Sequence, residues 1–141
     1  MLMTALLAGG VGWSRARVFG KNLDRGIMKN GYRSVALVAH DYDLLDVRPG
    51  DRVDVLVVFD AAVHITPQKF ATTLLQNVMV LGTTRSGKLD GKGVVYLMLN
   101  PIEAQYAALA PHQGELSIIV RKPGDKEIHP IEMADFRRLF R

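Results

Sequence analysis

Five short runs of aliphatic residues, each closed off by proline, glycine or polar turn residues, commit this chain to a fold built from extended segments. The runs are 34–39 (SVALVA), 52–59 (RVDVLVVF), 69–84 (KFATTLLQNVMVLGTT), 94–99 (VVYLML) and 115–121 (ELSIIVR). All are rich in β-branched or large apolar residues and bounded by turn signals, so they read as strands. In the second run Val53, Val55, Val57 and Phe59 share one face, while Arg52 and Asp54 point the other way. In the last, Leu116, Ile118 and Val120 point inward against Ser117 and Arg121. The run 69–84 reads as two strands or one long bent strand, with Gln76 and Asn77 at the bend. Pro49-Gly50 and Pro123-Gly124 mark tight turns, because proline presets one dihedral and glycine accepts positive φ. Residues 60–68 read as a loop containing Pro67, and 86–93 (SGKLDGKG) as a hairpin tip.

One helix start is well specified. Asn100 is placed to cap, Pro101 takes the first helical position, and Glu103 can reach back to the cap amide. Ile102, Tyr106 and Leu109 then recur at helical spacing, which predicts an apolar stripe facing the core until Pro111 stops the helix. Met133, Phe136 and Phe140 predict a short closing helix within 130–140. With 141 residues at 48% hydrophobic and 23% charged, the chain suits one small mainly β (α+β) domain. Strands do not alternate with long helices, which disfavours a doubly wound sheet.

The net charge of +4 is unevenly placed. Residues 1–33 carry Arg15, Arg17, Lys21, Arg25, Lys29 and Arg33 against Asp24 alone, while the remainder has twelve basic and thirteen acidic side chains. The leading arm is therefore a candidate electrostatic surface for phosphate, anionic lipid or an acidic partner, and a solvated segment is its simpler reading. The apolar opening 1–13 is broken by Thr4, Gly9, Gly10 and Gly12. It falls short of the roughly 20 residues a membrane span needs and lacks a signal peptide's leading positive charge, so no span is expected there.

No residues converge on a reaction in the sequence. The absence of cysteine excludes thiolate catalysis, disulfides and cysteine-bound zinc. Gly82 to Lys88 satisfies GxxxxGK after an apolar run, but Leu89 replaces the magnesium-binding hydroxyl and Asp90-Gly91-Lys92-Gly93 opposes the helix such a loop must open into. A flexible hairpin tip explains the pattern better. His40, His64, His112 and His129 are scattered, without metal-ligand spacing, and the cluster His40-Asp41-Tyr42-Asp43 reads as an acidic turn. Asp51 and Asp54 do not pair as catalytic carboxylates, and Asp51 reads as a cap on the turn after Gly50. The strands lack the basic and aromatic interleaving of RNA-binding sheets. No catalytic, cofactor-binding or metal residue is therefore assigned.

Residues 47–56 (VRPGDRVDVL), 74–81 (LLQNVMVL), the strand leading into Asn100-Pro101-Ile102-Glu103-Ala104, and 114–121 (GELSIIVR) resemble, in order and spacing, the core of the CpaB/RcpC family of Flp (Tad) type IVb pilus assembly proteins. The resemblance implies a β-rich fold related to the β-clip or SAF module. It also implies a non-enzymatic periplasmic adaptor that contacts the outer-membrane secretin and other pilus-assembly proteins, without cofactor or nucleic acid. On this reading 1–32 form a basic arm or partial SAF-like lead-in, 33–125 the core, and 126–141 an extension. A cell-wall polysaccharide-binding module is the alternative, with Trp13, Tyr32 and Tyr42 available to stack on sugar and Tyr106 expected in the core.

Overall fold

A computed structural model describes residues 22–135, 137 and 138. Along the chain run β1 (Asn22–Leu23), β2 (Arg33–His40), β3 (Arg52–Val63), β4 (Thr66–Thr84), β5 (Lys92–Leu99), the helix α1 (Pro101–Leu109), β6 (Glu115–Val120) and β7 (Ala134–Asp135). Five strands make one antiparallel sheet in the order β2-β5-β4-β3-β6, and the two-residue strands β1 and β7 add to β4. The architecture is thus mainly β, with one described α-helix extended by a 3-10 turn at Ala110–His112.

The turn before β3 shows why the sheet closes as it does. Gly50 sits at φ 90, the Asp51 amide donates to the Arg48 carbonyl at 3.1 Å, and the Asp51 carboxylate accepts from the Arg48 amide at 2.9 Å. Asp51 therefore caps this turn, as expected. Val80 and the turn exchange two further backbone bonds, Gly50 N to Val80 O and Val80 N to Asp51 O. From there Val53, Val55 and Val57 are buried in the core with Val80, Val95, Leu97 and Leu99. The edge strands β2 and β6 bend toward each other, and His40 Nε2 lies 3.5 Å from Glu115 Oε2 across the gap.

β4 is one bent strand of 19 residues. Val53 pairs with Val78 and Val55 with Leu75, so Gln76 and Asn77 bulge opposite Asp54. Asn77 takes a positive φ of 54 there, a bulge that bends the strand where the sequence placed the bend.

The expected loop at 60–68 is instead a two-stranded arm. Asp60 pairs with Lys69, Ala61 with Gln68, Ala62 with Pro67 and Val63 with Thr66, leaving only His64 and Ile65 as the turn. Both have positive φ, 51 and 74, as a two-residue hairpin turn of this kind requires. Pro67 is tolerated because β4 pairs with β3 alone at that point. Phe59 and Phe70 stack at the base of the arm with ring centroids 5.8 Å apart.

Two further expectations are corrected. α1 begins as predicted: Asn100 Oδ1 accepts from the Glu103 amide at 2.8 Å, and Glu103 Oε2 accepts from the Asn100 amide at 2.9 Å. Its buried face, however, is made of Ala107 and the flanking Ala110, with Ala104 packed against the core. Ile102, Tyr106 and Leu109 turn outward, exposed by 67%, 54% and 59%. Ala107 and Ala110 join a close-packed core cluster that includes Leu97 and Leu99, and small side chains suit that contact between helix and sheet. The closing helix is also absent from the described part of the tail. Ala134–Asp135 pairs with Phe70 and Ala71 of β4, and Arg137 and Arg138 lie in a 3-10 turn. Phe136 and Phe140 lie outside the described residues.

Candidate functional site

The feature of this molecule that sequence pattern alone would have buried is the outer face of α1. The capping box fixes where the helix starts, and the alanine stripe fixes which way it faces. Ile102, Tyr106 and Leu109 are then held on rigid backbone, at positions one turn apart, with their apolar surface in water. A contiguous apolar stripe on a well-ordered helix is the kind of surface that marks a protein contact. Helical spacing found these residues, but it weighs large apolar side chains above small ones and so gave the wrong direction.

At the β4–β5 tip, the amides that a phosphate-binding loop would offer to a nucleotide are taken by the protein itself. The Asp41 carboxylate, nearly buried at the start of the 3-10 turn Asp41–Leu44, accepts from the Ser86 hydroxyl at 2.5 Å. It also accepts from the Ser86 amide at 3.0 Å and the Gly87 amide at 3.1 Å. The base of the tip is therefore fixed, in contrast to the flexible tip expected. The chain leads on into a turn at Asp90 rather than a helix. The Ser86 hydroxyl holds the Asp41 carboxyl below the usual carboxylate range, burial opposes this, and the two amides and the Arg85 charge add to the lowering. Its partners lie 45 residues away in sequence, so no local signal could have announced it. The neighbouring acid Asp43 accepts from the Ile118 amide of β6 at 3.2 Å.

A carboxylate held down in this way stabilises the fold fully above the ordinary carboxylate range and loses that contribution as pH falls through its depressed value. Asp41→Asn should flatten the acid limb of a stability-versus-pH curve. It should also speed amide exchange at Ser86 and Gly87 on the order of tenfold, as read by hydrogen-exchange NMR. Unchanged exchange at both amides would show that the carboxylate does not organise the tip.

Arg121, expected to point outward, is folded under the tail instead. Its Nε donates to Asp54 Oδ1 at 2.7 Å, which raises its pKa above the usual arginine value, and its Nη1 donates to the Glu127 carbonyl at 2.5 Å. The same Asp54 oxygen accepts from the bulged Asn77 amide at 2.9 Å. Gln76 completes the clasp by bonding both the carbonyl and the amide of His129. Val120, expected inside, is an exposed edge residue.

Of the basic residues singled out from sequence, Arg15, Arg17 and Lys21 lie outside the described residues. Arg25 and Lys29 are exposed on the stretch joining β1 to β2, and Arg33 is exposed at the first position of β2, where its Nη1 donates to the Gly31 carbonyl at 2.7 Å. Tyr42 is exposed and stacks on His40 at 4.8 Å, Tyr32 is exposed, and Trp13 is outside the described residues. Among the described residues no three His, Asp or Glu side chains converge as a metal-ligand group, and no helix is long and apolar enough to cross a membrane.

Fold and surface together define a small, mainly β domain with an apolar helix face turned outward and loops tied down by internal hydrogen bonds. The family model for the Flp pilus assembly protein RcpC/CpaB matches residues 28–121, from the stretch before β2 to the Arg121 clasp. That is two thirds of the chain, and the chain belongs to this family of pilus assembly proteins. No curated protein and no solved structure matches it.

Proposed function

We propose that this domain is a non-enzymatic adaptor of a Flp (Tad) pilus machine, working in the periplasm and contacting the secretin complex through the outer face of α1. The observation that carries this reading is the orientation of the helix. Three large apolar side chains are held in water by a helix whose register and rotation are both fixed, an arrangement that adds nothing to the fold and supplies a preorganised anchor for a partner. Family membership supplies the setting, since a pilus assembly protein works against other assembly proteins of the cell envelope. The basic residues Arg25, Lys29 and Arg33, with Arg15, Arg17 and Lys21 ahead of them, add salt-sensitive attraction to an acidic partner or surface.

The test is a pulldown of the cognate secretin set beside one of peptidoglycan. Ile102→Ser, Tyr106→Ser and Leu109→Ser combined should leave the circular dichroism spectrum unchanged and weaken secretin binding by about 100-fold or more. Secretin binding indifferent to all three substitutions would remove α1 as the contact. Retention on peptidoglycan in its place would favour the polysaccharide-binding alternative.

A further inference from the structure

The chain has four asparagines, and only Asn30 is followed by glycine. Asn30 and Gly31 are the central residues of a tight turn ahead of β2. The Tyr32 amide closes this turn by donating to the Lys29 carbonyl at 3.2 Å, and Gly31 takes its third position at φ 84. A turn bonded in this way leaves the N–H of its third residue unused. Among the described residues the Gly31 amide has no hydrogen-bond acceptor. Both residues are exposed, and a Cβ on Gly31 would meet nothing within 4 Å. An exposed carboxamide thus sits one residue ahead of an amide nitrogen that neither a hydrogen bond nor a neighbouring side chain protects.

No other asparagine meets these conditions. Asn22 lies in β1, paired with Thr83, and precedes Leu23. Asn77 sits in the β4 bulge and precedes the β-branched Val78. Asn100 precedes Pro101, which has no N–H, and its Oδ1 is occupied by the Glu103 amide. Asp90-Gly91 has the right second residue, but its nitrogen is held. The Gly91 amide donates to the Lys88 carbonyl at 3.0 Å, and a Cβ there would run into the Ser86 side chain.

We propose that Asn30-Gly31 is a site of spontaneous deamidation, and that the modification removes positive charge from the stretch carrying Arg25, Lys29 and Arg33. The Gly31 nitrogen gives up its proton to hydroxide and bonds to Asn30 Cγ. The bond from Cγ to Nδ2 breaks, ammonia leaves, and a succinimide ring closes. Water then opens the ring. Breaking the bond from Cγ to the Gly31 nitrogen gives aspartate, whereas breaking the bond from the main-chain carbonyl carbon gives isoaspartate, with one extra methylene in the backbone. Nothing is oxidised or reduced, and hydroxide and water are the only reagents. Either product puts a carboxylate in place of a neutral amide, close in sequence to three exposed cations. The salt-sensitive attraction proposed above for these cations would then weaken as the protein ages, while the chemistry itself does not depend on that reading.

The test holds the full folded chain in warm, mildly alkaline buffer for days, beside a sample in urea, and digests both with a protease that cleaves before aspartate. Residues 24–40 are released as one peptide in which Asn30 is the sole carboxamide. That peptide should gain about one mass unit as the amide becomes an acid. New cleavage before position 30 should mark the aspartate fraction, isoaspartate being resistant. Conversion in the folded sample should run within about threefold of the rate in urea, because no hydrogen bond has to open first. The folded chain should also develop a fraction that leaves a cation exchanger early. Asn30→Gln, whose ring would be six-membered and slow to close, should keep its circular dichroism spectrum and show neither change. Asn30 left intact in the folded chain while the urea sample converts would overturn the proposal, because the turn would then be protective. An early-eluting fraction that forms equally in Asn30→Gln would also overturn it, by placing the loss of charge elsewhere.

Discussion

Ala107→Leu should destabilise the protein by about 2 to 3 kcal/mol in urea denaturation, while Leu109→Ser, two positions on, should change stability by no more than about 0.5 kcal/mol. The difference follows from the rotation of α1. Ala107 is fully buried in a core cluster that includes Leu97 and Leu99, and such interiors are close-packed. A leucine there must displace the helix or force side chains out of their rotamers. Leu109 loses only solvent contact. A helix rotated to bury Ile102, Tyr106 and Leu109 would give the reverse ranking, with the serine the damaging change. The pair of measurements therefore tests the surface on which the proposed function depends without requiring a partner.

Gly114→Ala should be more damaging still, at about 3 kcal/mol, because a Cβ at this position would collide with the carbonyl oxygen and carbon of Val58. Gly114 joins the 3-10 turn Ala110–His112 to β6, and the start of that strand, Glu115, pairs with Val58. The obstruction is backbone, which cannot swing aside as a flexible side chain would. Gly124→Ala is the natural control. It sits at φ 88 with nothing within 4 Å of the added carbon, so the expected loss is only that of left-handed backbone, about 1 kcal/mol. Equal effects at the two glycines would show that β6 does not approach β3 as closely as described.

Much of the framework was legible because its determinants are local. The turn at Pro49-Gly50 needs one glycine with positive φ and one capping aspartate, both within four residues. The start of α1 needs only Asn100, Pro101 and Glu103. The bend at Gln76 and Asn77 was visible as a polar interruption in an apolar run, although its partner Asp54 was not. What escaped was of two kinds. The arm was hidden because its turn is His64-Ile65 instead of Asn-Gly, so the strands on either side read as a loop with a proline. The outward face of α1, the carboxylate of Asp41 at the β4–β5 tip and the inward turn of Arg121 depend on partners brought together only by the folded sheet. Alternation and helical spacing say which side chains share a face, but the packing of the assembled core decides whether that face is inside.

The length of β4 has a mechanical consequence. A pull applied at its arm and resisted beyond Thr84 would run along a single strand that spans the molecule, flanked by β3 along its first part and by β5 along its last. Interstrand hydrogen bonds lie across the direction of such a load. They would be strained in shear, many at once, rather than peeled open one by one, so the domain would transmit tension between neighbours stiffly.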